Sequence, residues 1–214
     1  MDKKIIIGIV ILILVVLVGG IFIVMNMNKT NQNNTNTEYI APTINEENKQ
    51  NTNTTTSKKT LVIYYSRSGN TKQIADYIGE KTGGDVVRLE TVKTYPSNYD
   101  EMLDTAKEEQ RNGERPELKN KNINITDYDT IFLGYPIWWG EIATPVYTFL
   151  DQYDLSGKKV APFVTSGSSG LSGTPSDIKR EEPNSKVLDA MSITSSTLNN
   201  YKSLTDNWLS ELGF

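Results

Sequence analysis

Between a strand-like run and a helix-like one, the chain carries Ser66-Arg67-Ser68-Gly69-Asn70-Thr71. Hydroxyls of Ser66, Ser68 and Thr71 and the Asn70 amide put several neutral donors into one short turn. A phosphate group needs donors converging from one side, and backbone N–H groups at a helix start add to them. Gly69 lets the backbone come close to a ligand because no side chain stands in the way. The stretch is neither G-x-x-x-x-G-K-[ST] nor G-x-G-x-x-G, which disfavours nucleoside triphosphates and dinucleotides. Read locally, the same residues also describe a plain Ser N-cap in a tight turn. A nucleophilic role for Ser66 or Ser68 lacks a base, since the chain has no His and Lys72 is the only nearby amine.

Two zeros narrow the chemistry further: among 214 residues there is no His and no Cys. Without His there is no imidazole base, and ordinary zinc and haem sites lose their ligand. Without Cys there is no thiolate nucleophile, disulfide or iron–sulfur cluster. No catalytic side chain and no metal site is expected. The 22 basic and 26 acidic residues give a net charge of −4, which argues against a nucleic-acid partner. Such a chain either binds, or borrows its chemistry from a cofactor.

The elements that must position the turn run from Lys58 onward. Thr60 to Tyr65 is a β-branched and aromatic run, the mark of a buried strand. Asn70 to Lys81 has Ile74, Ala75 and Ile78 at helical spacing. Further strands are expected over Asp85 to Leu89, Thr130 to Tyr135, Lys159 to Val164 and Lys186 to Ser192, with Pro162 awkward inside the fourth. Helices are expected over Asn98 to Asn112, Thr144 to Tyr153 and Thr197 to Leu212. Strands alternating with helices imply an α/β fold, a parallel sheet with helices on both faces. Ligands of such sheets lie beyond the strand C-termini, at the switch point in strand order, so the loops after the first, third and fourth strands carry the interest.

Those three loops support a family resemblance. Tyr65 to Thr71 resembles the phosphate-binding turn of flavodoxins, which ends in Gly-Asn-Thr. The resemblance continues at Gly134-Tyr135-Pro136-Ile137-Trp138-Trp139-Gly140 and at Thr165-Ser166-Gly167-Ser168-Ser169-Gly170. It covers Lys58 to Phe214 and implies a flavodoxin-like three-layer sandwich, a five-stranded parallel sheet of order 2-1-3-4-5, with FMN as cofactor. On the resemblance, the turn from Ser66 to Thr71 holds the phosphate. Pro136, Ile137, Trp138, Trp139 and Gly140 meet the flavin's N5 edge, and Ser166 to Gly170 its pyrimidine edge. A large flat ring needs an apolar wall, which Trp138 or Trp139 can supply while the other serves the core. Tyr95-Pro96 either borders the cleft or packs. Flavodoxins are strongly acidic; here four residues of each sign precede Lys58, leaving 18 basic and 22 acidic, so steering towards a basic partner is expected to be weak.

Before the domain, Ile5 to Val24 is an apolar run broken only by Gly8, Gly19 and Gly20. Twenty residues rising ~1.5 Å each match a bilayer core of about 30 Å, so residues 1–25 read as a single transmembrane anchor. Residues 26–57, rich in Asn and Thr, read as a disordered linker. Lys3 and Lys4 before the span outnumber Lys29 just behind it, which favours a cytoplasmic N-terminus and an extracytoplasmic domain. The expected function is membrane-tethered electron transfer through FMN, with a redox partner protein or a quinone as the other party. The alternative is a non-redox module that holds a phosphate-bearing ligand or a partner protein on the same fold.

Overall fold

The computed structural model describes residues 59–214. The expected anchor at 1–25 and linker at 26–57 lie outside the described residues. Among the described residues no helix is long and apolar enough to cross a membrane.

Seven strands form one sheet: β1 (Thr60–Tyr64), β2 (Asp85–Arg88), β3 (Thr130–Trp138), β4 (Glu141–Ile142), β5 (Lys159–Ser166), β6 (Lys186–Val187) and β7 (Met191–Thr194). Five α-helices accompany them: α1 (Asn70–Thr82), α2 (Tyr99–Asn112), α3 (Thr144–Gln152), α4 (Thr174–Glu181) and α5 (Tyr201–Leu212), the last preceded by a 3-10 turn at Leu198–Asn200. All five residues of β1 are buried, because β1 lies between β2 and β3 and is covered on both faces. Successive side chains of a strand point to opposite faces. Accordingly Leu61, Ile63, Ile131 and Leu133 join Met102, Ala106, Val146 and Phe149 in one core. Val62, Tyr64 and Phe132 join Ile74, Ile78, Trp208 and Leu209 in the other. Helices α1 and α5 therefore cover one face and α2, α3 and α4 the other, a three-layer sandwich.

The parallel α/β sheet is as expected, but the strand order needs correcting. It is β2-β1-β3-β5-β6, with β4 antiparallel to the end of β3 and β7 parallel to β5. Two things separate this from a five-stranded 2-1-3-4-5 sheet. First, β3 runs past the expected end at Tyr135 to Trp138 and turns back through β4, so Pro136 to Trp138 belong to a strand rather than to a loop. Second, the expected strand over Lys186 to Ser192 is broken in two, with β6 against the start of β5 and β7 against its end. Pro162 accounts for the break. Val160 O accepts from Leu188 N at 2.8 Å and Ser166 O from Ser195 N at 3.1 Å, so the even-numbered residues of β5 address that edge. Pro162 falls in that series without an N–H to donate, and three residues, Leu188 to Ala190, bulge past it.

Helix α4 was not legible in the residues. Ile178 is its one buried apolar side chain, so no helical period shows. Glu182, just past it, is buried and accepts from Leu155 N at 3.2 Å. Burial raises its pKa above the usual carboxylate value, against the opposing pull of that hydrogen bond. A raised folded-state pKa means that ionised Glu182 costs the folded state stability above that pKa, and nothing below the unfolded value. Glu182→Gln keeps an acceptor for Leu155 and removes the charge. It is expected to raise Tm at pH 7, and the gain should vanish as pH falls below about 4. Thermal melts at both pH values check this, and a gain that persists in acid would count against burial as the cause.

Candidate functional site

The C-terminal ends of β1, β3 and β5 open into one cleft of about 380 Å³. It lies where the strand order reverses between β1 and β3, the place predicted by the topology. Its phosphate-type end is the start of α1. Gly69 takes φ 95° and Gln73 N bonds Gly69 O at 3.1 Å, so the helix begins directly after the glycine. No side chain caps that terminus and no acid lies in its first turn. The first-turn N–H groups are thus left to a ligand, at the positive end of the helix dipole. Ser68, Asn70 and Thr71 line the cleft beside them. Ser66 does not line it; its buried hydroxyl accepts from Gly69 N at 3.1 Å and shapes the turn from within. Arg67 lines the cleft but donates to Ser97 O at 2.8 Å, with its guanidinium over the Tyr99 ring at 5.6 Å. On the cleft floor Thr71 Oγ1 and Thr165 Oγ1 stand 2.8 Å apart.

The apolar end comes from β3 and its turn. Pro136, Ile137, Trp138 and Trp139 all line the cleft, whereas Gly140 does not. The two tryptophans differ. Trp138 is 5 % exposed and packs edge-on against Tyr65 and Tyr95, at 5.5 and 5.1 Å. Trp139 is 51 % exposed, with φ 51°. It and Gly140, at φ 85°, form the two-residue link between β3 and β4, and positive φ at both positions makes a type I′ turn. So Trp138 serves the core and Trp139 the cleft edge. Tyr95 packs behind the wall rather than bordering the cleft. Its hydroxyl donates to Glu109 Oε2 at 2.6 Å, and Thr144 Oγ1 donates to the same oxygen at 2.5 Å. Burial, then the Glu109 hydrogen bond, raises the Tyr95 pKa; burial, then the Glu109 charge, raises that of Tyr65. Both phenols stay neutral at physiological pH.

At the third loop Ser166 and Gly167 line the cleft, while Ser168, Ser169 and Gly170 do not. Ser166 Oγ accepts from Gly170 N at 3.1 Å, the same internal use made of Ser66. Sequence reasoning missed Tyr99, Met102 and Leu103 on α2, together with Thr165 and Ser195, all of which line the cleft. The helix expected over Asn98 to Asn112 contains Tyr99, Met102 and Leu103, but its residues give no sign that one flank meets a turn 36 residues later.

A family model described as Flavodoxin matches residues 59–212. The chain belongs to the flavodoxin family. Among solved structures this flavodoxin is similar to a candidate flavoprotein from Bacteroides eggerthii. That match has 29% identity and a TM-score of 0.63, covering 73% of this chain and 98% of the other. It is also similar to a flavoprotein from Lactobacillus acidophilus in complex with FMN. Here the identity is 29% and the TM-score 0.57, covering 67% of this chain and 98% of that one. In both cases nearly the whole neighbour corresponds to the flavodoxin domain.

Proposed function

We propose that residues 59–214 bind FMN in this cleft and work as an electron-transferring flavodoxin. The observation that carries the reading is one cleft with two unlike ends, an uncapped helix terminus ringed by hydroxyls and an exposed indole on a strained turn. The residues fit the group. The phosphate end supplies backbone N–H groups of α1 with Ser68, Asn70 and Thr71; the ring end supplies Trp139, Ile137 and Pro136. Bound FMN supplies reversible uptake of one or two electrons. The chain's own residues would hold it, with the phosphate at the start of α1 and an apolar wall of Pro136, Ile137 and Trp139 for the ring. No side chain need move a proton, which accords with a sequence that lacks His and Cys. A module that held only a phosphate would have no use for a tryptophan in the left-handed region, a conformation costing roughly 1–2 kcal/mol.

The finer reading places the domain outside a membrane, tethered through residues 1–25. Cytoplasmic NAD(P)H would then be out of reach, and a quinone or a membrane redox protein would supply or accept the electrons. The test is direct: titrate the chain with FMN and follow visible absorption and loss of flavin fluorescence. Folded protein with no FMN affinity at high micromolar concentration would sink the electron-transfer reading. A second expected outcome separates fold from site. Trp139→Gly releases the strained φ, so Tm should hold or rise, while FMN affinity falls by about tenfold through loss of ring contact. A parallel drop in both quantities would make Trp139 a fold residue.

A further inference from the structure

Helix α2 uses two neighbouring stripes, one buried and one beside it at the cleft edge. Met102, Ala106 and Glu109 are buried under the sheet. Leu103, Lys107 and Gln110, spaced i, i+4, i+7 along the next stripe, meet the turn between β3 and β4. Gln110 Nε2 donates to Trp138 O at 2.7 Å. The Trp139 indole N–H donates to Leu103 O at 2.8 Å. Lys107 Nζ lies over the same indole, 4.6 Å from the ring centroid. A bulky residue persists in the left-handed region only where its surroundings over-determine it. Here those surroundings are the β3–β4 hairpin, which sets the turn, and the three contacts from α2.

We propose that α2 clamps the aromatic wall of the cleft and that Gln110 is its positioning residue. The inference rests on the FMN reading only for its affinity readout. Gln110 acts through the Trp138 carbonyl. A peptide plane whose oxygen is bonded to α2 cannot rotate without losing that bond, so the plane between Trp138 and Trp139 is fixed and Trp139 stays at the cleft edge. Lys107 and the Leu103 carbonyl then hold the indole itself. The position calls for a donor of this length, which Gln supplies; Glu has the same length but accepts when ionised. Apolar packing does not explain the residue, since Gln110 is only half-buried and lies off the core stripe.

The full chain can be compared as wild type, Gln110→Glu and Gln110→Met. All three tryptophans of the sequence, Trp138, Trp139 and Trp208, fall within the described domain. Near-UV circular dichroism of the FMN-free protein therefore reports the indole environment without any cofactor. At pH 8 the ionised Glu variant faces the Trp138 carbonyl with a second acceptor. Its indole bands should change, and its FMN affinity should fall by about tenfold relative to wild type at the same pH. At pH 4, below the usual Glu pKa of about 4.3, the carboxyl is mostly protonated and can donate again, and both readouts should return towards wild type at the same pH. Glu109, Glu114, Arg115, Glu141, Arg180 and Glu181 face the same recess, with Tyr147, whose phenol stays neutral across this pH range. The acids there favour protonation of a carboxyl at 110 and the arginines oppose it. Gln110→Met should show the loss at both pH values. Lys107→Met, at an exposed position, should perturb the indole bands independently of fold. Wild-type bands in Gln110→Glu at pH 8, or a loss that acid does not reverse, would overturn the clamp. Because the dichroism needs no FMN, a wild type that failed to bind FMN would refute the cofactor reading and leave the clamp to be judged on its own.

Discussion

FMN should bind this chain about a thousandfold more tightly than riboflavin, which differs from it by the phosphate. The ratio follows from what α1 offers. Its first-turn N–H groups meet no capping side chain and no acid, and Ser68, Asn70 and Thr71 line the cleft beside them. Hydrogen bonds to a charged acceptor are worth about 1.5–3 kcal/mol each, so two of them suffice for a factor of roughly 10³. The helix dipole adds to this at low ionic strength. Arg67 contributes little to the ratio, because its guanidinium is engaged with Ser97 O and the Tyr99 ring. Paired titrations followed by fluorescence measure the ratio directly. Inorganic phosphate should weaken FMN binding and leave riboflavin untouched. A ratio below about ten would place the phosphate outside the turn and remove the ground for reading it as an anion cradle.

A second large effect is expected at Gly134. It sits within β3, paired with Tyr64 on one side and Phe163 on the other. The Phe163 ring lies across it so closely that an added Cβ would stand 2.1 Å from Cζ and 2.4 Å from Cε2. Either the ring or the strand must shift, and both are buried at the centre of the sheet. Overpacking of this kind costs about 1–3 kcal/mol and sometimes more. Gly134→Ala should lose about 3 kcal/mol, a large share of a stability of about 5–15 kcal/mol. Phe163→Leu removes the clashing ring atoms. The double variant should then recover at least about 1 kcal/mol beyond additivity in denaturant unfolding. Strict additivity of the two losses would mean that the ring is not the obstacle.

Much of this arrangement is legible in the residues. The continuous β-branched and aromatic runs of Thr60 to Tyr65 and Thr130 to Tyr135 mark buried strands, and both reach a cleft where the topology says one must lie. Ser68, Asn70, Thr71, Trp139, Ser166 and Gly167 announce themselves by type: hydroxyls, a bare backbone and a flat ring at strand ends. Other parts are not legible for physical reasons. Gly134 and Pro136 are turn residues by habit, so the stretch through Trp138 reads as a loop. The structure makes it strand because Gly134 accommodates a ring from β5 rather than bending the chain. The break between β6 and β7 depends on a donor missing from Pro162 on the neighbouring strand, which no scan of residues 186–194 alone can reveal. Tyr99, at 61 % exposure, carries no apolar period that ties it to the cleft it lines.

The inward-turned hydroxyls of Ser66 and Ser166 bear on the kinetics of loading. Each accepts the N–H of a glycine in its own loop, Gly69 in one case and Gly170 in the other, and so fixes that loop before any ligand arrives. A ligand entering such a cleft immobilises little that is not already immobile. Little of its interaction free energy is then consumed in ordering the chain, and its arrival is set by diffusion and orientation rather than by a slow rearrangement. Departure, by contrast, must break the contacts at both ends of the cleft, so residence time rather than capture rate is where variation in these loops would be felt.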